Sequence, residues 1–312
     1  MSGRRAFVTG VSGFAGRELA TQLVAAGWHV EGTVNTRTSG VGEVSEHRVQ
    51  IDDRDALARL LAAFAPDVVF HLAAIVDTVT TPDVDELHRV NTLGTVAVTE
   101  AMRAVAPHVR LVFTSSSFAY GRTSADDQPV RESHALEPIT PYGVSKAESE
   151  AIVARFRDES AADTVITRAF QHSGPGHTGE YALADWARQL VAIERAGGTG
   201  TIVTGNLGVA RDYLDVRDVA SAYIAAAERG RPGETYNVCS GKPVTMRELL
   251  VGLIEAFGLD VRIETDPARI RAIDQPVFVG DPSKLRADTG WSPRFTQVEM
   301  LAALAVSARA SS

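Results

Sequence analysis

Apolar and polar positions alternate along the first half of the chain in two regular patterns. Short β-branched runs predict six strands: Ala6–Thr9, His29–Val34, His47–Ile51, Asp67–Leu72, Arg110–Ser115 and Thr164–Ala169. Between them, apolar residues at helical spacing predict helices over Phe14–Ala26, Asp55–Phe64, Val84–Ala106 and Tyr142–Ser160. Continuous apolar runs such as Val68–Phe70 are typical of strands buried on both faces of a parallel sheet. This repeated strand–helix order predicts an α/β fold with a doubly wound parallel sheet.

The alternation stops after Gln171, where His172–Tyr181 is rich in glycine and predicted to be irregular. Further helices are predicted over Asp185–Ala196, Val216–Glu228 and Thr245–Phe257, and further strands over Thr201–Thr204, Thr235–Val238 and Val261–Glu264. We expect Ala308–Ser312 to be a frayed tail. The pattern predicts a larger domain over residues 1–171, with contributions from about 201–238, and a smaller α/β portion over residues 172–312 that packs on the carboxyl ends of the sheet.

Composition narrows the class of protein. The 312 residues are 45% hydrophobic and 22% charged, which is the balance of an ordinary globular protein of roughly two domains. A net charge of -8 argues against a nucleic-acid partner. The single cysteine, Cys239, excludes an internal disulfide and a multi-cysteine metal site, so we expect no metal and a reducing compartment. Because no apolar run is long enough for a membrane span or a signal peptide, we expect a cytoplasmic protein.

A glycine-rich turn follows the first predicted strand. Gly10, Gly13 and Gly16 are spaced so that the chain turns tightly, approaches a pyrophosphate closely and packs a helix on the strand. The amino end of the helix that follows presents free N–H groups and a positive dipole to phosphates. Strand, turn and helix at the start of an alternating α/β chain predict a dinucleotide-binding Rossmann domain.

The end of the second predicted strand bears on which dinucleotide binds. An NAD site usually has a carboxylate there for the ribose hydroxyls, but this chain has Val34 and no acidic residue before Glu43. Asn35 and Arg37 are placed to receive a 2′-phosphate instead, so NADP(H) is favoured and NAD(H) is the alternative. Asp52, after the third strand, is positioned to accept a hydrogen bond from the adenine amino group, and a solvated loop aspartate is the competing interpretation.

A tyrosine and a lysine open a later helix on one face. Tyr142 and Lys146 are four residues apart, and an ammonium near a phenol favours the tyrosinate and lowers its pKa. Such a phenol can exchange a proton with a carbinol or carbonyl oxygen. Upstream, a predicted strand ends in Thr114–Ser117, where α/β sheets place ligand chemistry. Each feature is common by itself, but here all of them follow a glycine motif in order.

In this combination the chain resembles an extended short-chain dehydrogenase/reductase of the sugar-nucleotide epimerase/dehydratase type, over nearly its whole length. The matching stretches are Thr9–Gly16, His71–Ala74, Asn91–Thr95, Ser115–Gly121, Pro141–Lys146, Gly174–Gly176 and Arg211–Asp218. The resemblance implies that Ser116 bonds the substrate oxygen, that Tyr142 is the acid/base and that Lys146 holds the nicotinamide ribose. It also implies further cofactor contacts, at Ser12, Phe14, Leu72, Ala73 and Ala74.

Within that family, the chain is most similar to the branch that handles GDP-mannose derivatives, the 4,6-dehydratases and the 4-keto-6-deoxy-mannose reductases. The residues that carry this resemblance are Gly205–Leu207, Arg211–Asp218, Tyr236–Gly241 and Gly290–Pro293. It implies that Arg211 and Arg271 clamp the sugar diphosphate and that Asp274 binds the nucleotide ribose. Two arginines suit a diphosphate, although a surface ion pair explains Arg271 equally well.

Two departures from the family pattern affect the expected chemistry. The dehydratases carry an acidic residue shortly after the active-site hydroxyl, but this chain has Ser117 and Phe118, which argues against 4,6-dehydration and decarboxylation. The family usually has asparagine where this chain has Gln171, so a substrate contact is shifted by one methylene. Ser117 and Gln171 are therefore candidate substrate-binding residues.

Three functions remain after these observations. The first is NADP(H)-dependent reduction of a nucleotide-linked 4-keto-6-deoxy sugar, with GDP favoured and dTDP or UDP as alternatives. The second is an NAD-dependent nucleotide-sugar 4-epimerase, which uses the same Ser-Tyr-Lys set but normally retains NAD. The third, a non-catalytic dinucleotide-sensing module, is disfavoured because Tyr142 and Lys146 are both present. By resemblance, the apolar faces of Val84–Ala106 and Tyr142–Ser160 imply a homodimer, and internal packing is the alternative.

Overall fold

The computed structural model describes residues 3–76, 83–179, 181–270 and 275–311. Its strands are β1 Arg5–Thr9, β2 His29–Val34, β3 Val44–Arg48, β4 Val68–His71, β5 Arg110–Ser116, β6 Thr164–Ala169, β7 Gln171–Ser173, β8 Thr199–Thr204, β9 Ala210–Asp215, β10 Thr235–Val238, β11 Pro243–Thr245, β12 Asp260–Thr265 and β13 Val277–Phe278. Its helices are α1 Phe14–Ala25, α2 Arg54–Phe64, α3 Val84–His88, α4 Gly94–Val105, α5 Pro141–Ser160, α6 Ala182–Arg195, α7 Val216–Arg229, α8 Met246–Phe257, α9 Ser283–Thr289 and α10 Gln297–Ala310.

The largest sheet is parallel throughout. Within the described residues it has seven strands in the order β10-β6-β5-β4-β1-β2-β3. The strand order reverses direction between β1 and β4, and the carboxyl ends of these strands are where open α/β sheets bind ligands. The doubly wound Rossmann sheet predicted from the sequence is confirmed.

Both faces of this sheet are covered, because alternate residues of each strand point to opposite sides. In β1, Ala6 and Val8 join the hydrophobic core that includes α1 and α7. Phe7 points the other way, into the core that includes α2, α4 and α5. Burial on both faces explains why these strands read as continuous apolar runs.

The second half of the chain forms two smaller sheets and completes the large one. β9 lies between β11 and β13 and also pairs with β7, while β8 pairs with β12. Helices α6, α8 and α10 pack together in a third core around Trp186, Leu250 and Leu304. β10 pairs with β6 at the edge of the large sheet. Both β10 and α7, which packs on the large sheet, come after residue 171 in the sequence. The division into two domains at residue 171 stays a prediction.

Several element boundaries differ from the sequence expectations. The third strand spans Val44–Arg48, not His47–Ile51, because Ile51 turns inward to pack against Gly94. The long helix predicted over Val84–Ala106 is interrupted by a π-helical turn at Arg89–Leu93. The expected frayed tail is wrong for its first residues, since α10 continues to Ala310 and Arg309 pairs with Glu194.

Strands β7, β9, β11 and β13 and helices α9 and α10 have no counterpart in the sequence prediction. Three of these strands contain only two or three residues, too few for a period of two to show. No helix in the described part of the chain is long and apolar enough to cross a membrane.

Candidate active site

The glycine-rich turn at the end of β1 is packed too tightly for side chains. Gly10 has a φ of +71°, and a Cβ there would lie 2.8 Å from Cα of Ala73. A Cβ on Gly16 would lie 2.3 Å from the carbonyl oxygen of Gly10. Helix α1 begins at Phe14, and its N-cap, Gly13, has no side chain to bond the first N–H groups. The turn thus leaves a cradle of backbone donors that suits a pyrophosphate.

A buried histidine supports this cradle from the neighbouring strand. His71 Nδ1 lies 2.7 Å from Thr9 Oγ1, and His71 Nε2 lies 3.1 Å from Thr95 Oγ1. Burial lowers the pKa of His71 to about 3, with a smaller contribution from Lys146, so its imidazole is neutral. Because Thr95 Oγ1 donates to the carbonyl of Asn91, it accepts from His71 Nε2–H. Thr9 in turn accepts from the backbone N–H of Ala73, at 3.2 Å.

The residues expected to bind the cofactor around its phosphates gather at this edge. Ser12, Gly13 and Phe14 follow β1, and Leu72, Ala73 and Ala74 follow β4, which is the strand beside it. Asn91 holds the second segment in place: its Oδ1 accepts from the backbone N–H of Ile75 at 2.7 Å, and its Nδ2 donates to the Ile75 carbonyl at 2.9 Å. Asn91 lies in one of the stretches that match the family, and the resemblance implied no role for it.

The expected 2′-phosphate residues lie at the end of β2. Val34 is buried, whereas Asn35 and Arg37 are exposed and follow it directly. Asn35 Oδ1 accepts from Gln50 Nε2 at 3.4 Å. Asp52, expected to bind adenine, already accepts from Arg89 Nη1 at 2.6 Å. An adenine amino group would therefore share the Asp52 carboxylate with a guanidinium.

The serine and tyrosine expected to be catalytic are neighbours in the fold, and the Ser116 hydroxyl is close enough to influence the Tyr142 phenol. Ser116 is the last residue of β5, and Tyr142 is the second residue of α5, whose start is capped by Thr140. Both side chains are buried, at 7% exposure each. Burial raises the pKa of Tyr142 well above its ordinary value, and the neighbouring Ser116 hydroxyl offsets part of this rise.

Lys146 lies one helical turn further along α5 but does not bond the phenol. Its Nζ donates to the carbonyl oxygen of Thr114 at 2.8 Å and lies 6.0 Å from the centre of the Tyr142 ring. Burial lowers the pKa of Lys146 to about 8, and the Glu150 carboxylate partly offsets this fall. The expectation that Lys146 lowers the pKa of Tyr142 is thus wrong for this arrangement, because burial of the phenol has the largest effect and acts in the opposite direction.

Two further polar atoms at this edge are available to a ligand. Ser117 Oγ and Gln171 Oε1 are both buried and have no hydrogen-bond partner in the described part of the chain. Ser117 follows β5, and Gln171 begins β7 just after the neighbouring strand β6. A buried polar atom left unpaired costs about 1–3 kcal/mol, so a polar ligand here would recover that free energy. These are two of the residues expected to bind the substrate.

The remaining expected substrate residues belong to the smaller portion. Arg211 lies on β9, and its Nη1 donates to the carbonyl oxygens of Ala210 and Gln275, at 2.8 and 2.7 Å. Arg271 and Asp274 lie outside the described residues. The diphosphate clamp therefore stays a prediction.

Aromatic rings that the sequence analysis did not assign to the site cover the start of α1. Phe14 stacks on His177 with ring centres 4.5 Å apart and on His172 at 5.9 Å, and His177 also stacks on Tyr181 at 5.2 Å. Tyr181 Oη donates to the carbonyl of Val76 at 3.0 Å. Burial lowers the pKa of His177 to about 3 and also lowers that of His172. In the sequence, the one indication of this stack was an aromatic residue at each end of the glycine-rich segment His172–Tyr181.

The parallel sheet, the glycine-rich cradle and the Ser116-Tyr142-Lys146 group together define an NAD(P)-dependent oxidoreductase of the short-chain dehydrogenase/reductase type. Comparison with known proteins agrees and narrows the class to enzymes that act on sugar nucleotides. The profile of the family described as GDP-mannose 4,6 dehydratase matches residues 7–304. The chain belongs to this family.

Individual relatives include more than one activity. The chain is 32% identical over 304 residues to GDP-6-deoxy-D-mannose reductase from Pseudomonas aeruginosa, with 96% of each chain covered. The structure of RMD from Pseudomonas aeruginosa complexed with NADPH superposes with a TM-score of 0.87, 29% identity and 99% coverage of each chain. The structure of UDP-glucose 4-epimerase from Thermus thermophilus in complex with NAD also superposes with a TM-score of 0.87. It is 28% identical, and the alignment covers 99% of this chain and 100% of the epimerase chain.

Proposed function

We propose that this protein uses NADPH to reduce a nucleotide-linked 4-keto-6-deoxy sugar, with GDP as the favoured nucleotide and dTDP or UDP as alternatives. The observation that carries the proposal is that Ser116 and Tyr142 are buried as neighbours beside Ser117 and Phe118, two residues whose side chains are neither acids nor bases. This site has a proton donor for a ketone oxygen. At positions 117 and 118, it has no group to abstract a sugar C5 proton.

The residues present fit a nicotinamide dinucleotide. The cradle at Gly10–Phe14 suits its pyrophosphate, because a Cβ on Gly10 would clash with the backbone of Ala73 and the α1 N-cap has no side chain. Lys146 would hold the nicotinamide ribose, and Leu72–Ala74 would line the other side of the cradle. The nicotinamide, when bound, supplies the hydride for the carbonyl carbon.

The chain's own groups would then handle the carbonyl oxygen. Ser116 would donate a hydrogen bond to it, and Tyr142 would donate the proton that converts it to a hydroxyl. A phenol with a raised pKa holds its proton firmly, so the Lys146 ammonium would be needed near the developing tyrosinate. Buried Ser117 Oγ and Gln171 Oε1 would complete their hydrogen bonds with sugar hydroxyls.

NADP(H) is preferred over NAD(H) in this proposal because of the end of β2. A buried valine at position 34 offers nothing to ribose hydroxyls and no negative charge to repel a 2′-phosphate. Exposed Asn35 and Arg37 would bind that phosphate. The NADPH in the neighbouring Pseudomonas structure supports this preference.

A 4-epimerase is the second candidate function. The UDP-glucose 4-epimerase that holds NAD superposes as well as the NADPH complex does, and the same Ser-Tyr-Lys group would serve both reactions. A non-catalytic sensing module is set aside, because the family and the relatives above are enzymes.

A cytoplasmic location and a homodimer stay predictions. For the dimer, the pairing surface would be the outer side of α4, α5 and the π-helical turn before α4, where Leu93 is 55% exposed. Size-exclusion chromatography with light scattering tests it, and a monomer at micromolar concentration would contradict it.

One set of incubations tests the reaction. GDP-, dTDP- and UDP-linked 4-keto-6-deoxy sugars are each mixed with protein and NADPH, and the product is identified by mass spectrometry and NMR. We expect NADPH consumption and a new deoxysugar nucleotide with at least one of them. GDP-mannose with oxidised cofactor should give no keto sugar. Keto-sugar formation by this protein alone would overturn the proposal, and interconversion of two hexose epimers with retained NAD would establish the epimerase.

A further inference from the structure

A buried ion pair lies directly behind the proposed catalytic residues. Glu150 is four residues after Lys146 on α5, and Arg168 is on β6, opposite Ser115 of β5 in the sheet register. Arg168 Nε donates to Glu150 Oε1 at 2.9 Å and Arg168 Nη2 to Glu150 Oε2 at 2.7 Å. Both side chains are 7% exposed. The geometry is bidentate, which is the strongest arrangement of these two groups.

The pair joins the helix to the strand that carries the active-site serine. Ser115 Oγ donates to Glu150 Oε1 at 2.5 Å, and the next residue along β5 is Ser116. Tyr142, Lys146 and Glu150 are spaced four residues apart and lie along one face of α5. Any shift of Glu150 relative to Ser115 would therefore change how Tyr142 meets Ser116.

Arg168 is itself held from the far side. Its Nη1 donates to the carbonyl oxygen of Glu132 at 3.1 Å, and its guanidinium lies over the ring of Tyr120, 4.7 Å from the ring centre. Tyr120 Oη donates to Asn237 Oδ1 on β10 at 2.7 Å. Because Glu132 and Tyr120 lie outside α5, these contacts hold the guanidinium independently of the helix.

We propose that Glu150 and Arg168 are positioning residues of this site: their ion pair locks α5 against the end of β5 and sets the charge that Lys146 experiences. Neither residue touches substrate or cofactor in this proposal, and both act through Lys146, Tyr142 and Ser116. The role in turnover rests on the proposed function, whereas the effect on Lys146 does not.

Burial is what makes the charges matter. Lys146 faces Tyr142 and Glu150 on its own helix, His71 on β4, and Arg168 on β6 beyond Glu150. His71 is neutral over the working range, since its pKa is about 3, and the Tyr142 phenol is protonated there. Among the described residues that face Lys146, the charges that remain are those of Glu150 and Arg168. Removing one of them leaves the other unbalanced beside Lys146 in a medium that screens poorly.

The chain offers a direct readout of Lys146, because it has only three lysines, Lys146, Lys242 and Lys284. Lysine labelled with 13C at the ε carbon, added during expression, gives three NMR signals, which Lys242→Arg and Lys284→Arg assign. We expect Glu150→Gln to lower the midpoint of the Lys146 titration by about half a pH unit or more, and Arg168→Gln to raise it by a smaller amount, because Arg168 lies further from Lys146 than Glu150 does. A purely structural role for the pair would not move the midpoint in opposite directions.

Asp163→Asn is the matched control. Asp163 accepts a hydrogen bond from Arg110 Nε at 2.8 Å. Arg110 is the first residue of β5, about 17 Å along that strand from Ser115. This variant also removes one carboxylate from an arginine pair beside β5. The midpoint of Lys146 should stay at its wild-type value.

Turnover tests the anchoring. With the ketosugar that wild type reduces, Glu150→Gln should lower kcat by about tenfold or more with little change in KM. Arg168→Lys restores the charge but not the bidentate bond, so the Lys146 midpoint should return while kcat stays low. If a single variant does not fold, Glu150→Gln with Arg168→Gln leaves no unpaired charge; its Lys146 midpoint should lie below that of wild type but above that expected for Glu150→Gln alone, and its kcat should be low.

Unchanged Lys146 midpoints in folded Glu150→Gln and Arg168→Gln, or an equal shift in Asp163→Asn, would overturn the charge role. Wild-type kcat in the double variant would overturn the anchoring role. Failure of wild type to reduce any ketosugar would count against the proposed function alone, since the lysine titration needs no substrate.

Discussion

Lys146 Nζ donates a hydrogen bond to the carbonyl oxygen of Thr114, two residues before Ser116 on the same strand. This bond crosses from α5 to β5, so the helix that carries Tyr142 and the strand that carries Ser116 are tied together at their ligand-binding ends. The ammonium is buried, and burial lowers its pKa to about 8. The bond is charge-assisted below that pKa, so the link between helix and strand should weaken as the pH rises through about 8.

Loss of the Tyr142 hydroxyl tests the proposed acid. Tyr142→Phe should lower kcat by about 100- to 10,000-fold, because a general acid typically contributes that much. NADPH affinity, measured by fluorescence titration, should stay close to wild type. Tyr236→Phe is the control, since its hydroxyl bonds Arg231 and Asp288, away from the site. A Tyr142→Phe variant with more than about a tenth of wild-type turnover would show that another group donates the proton.

The alkaline side of the pH profile tests Lys146. The charged lysine is the form present below its pKa, so reduction should proceed below about pH 8 and decline as the pH rises through that value. Tyr142 contributes no decline there, because its own pKa is raised above the ordinary value. The measurement is kcat/KM for the ketosugar from pH 6 to 10. In Lys146→Arg, which stays charged throughout, the residual activity should lack this decline. A profile that is flat to pH 10 in wild type would contradict the assignment.

Position 34 tests the cofactor preference. Wild type should bind NADPH more tightly than NADH, and Val34→Asp should reverse the order by supplying a ribose acceptor and repelling the 2′-phosphate. Val34→Asn is the control, because it places a similar polar group at this buried position without charge. Titration of each variant with both cofactors gives the dissociation constants. Tighter NADH binding by wild type would reject the preference and strengthen the epimerase alternative.

The aromatic cover over α1 tests how the cofactor is held. Phe14→Ala removes the ring that stacks on His172 and His177, so NADPH should bind about tenfold more weakly, mainly through faster release. Stopped-flow fluorescence measures the release rate. Phe295→Ala is a comparable loss of a ring, here one that stacks on Arg217, and it should leave release unchanged. Equal release rates in Phe14→Ala and wild type would show that the stack does not cover the cofactor.

The strand–helix alternation, the glycine turn and the Tyr142–Lys146 spacing were all readable from the sequence. These features are local: burial on both faces makes a strand such as β4 continuously apolar, and a four-residue spacing places two side chains on one helical face. Even for these local features, some predicted strand ends were wrong where a residue makes a contact distant in sequence. Ile51, for example, packs on Gly94 and is not part of β3.

Only the tertiary structure decided what surrounds each catalytic group. The sequence predicted that the Lys146 ammonium lowers the pKa of the Tyr142 phenol. In the fold, Tyr142 is buried and Lys146 bonds the Thr114 carbonyl, so the pKa of Tyr142 is raised. The pairing of Glu150 with Arg168 depends on where α5 settles against β6, eighteen residues away along the chain. Hydrogen bonds and desolvation act over a few ångströms in space, whatever the separation of the residues in sequence. The sequence by itself therefore determined the secondary-structure elements and the chemical groups that they carry. The tertiary packing determined the pKa values and the hydrogen-bond partners of those groups.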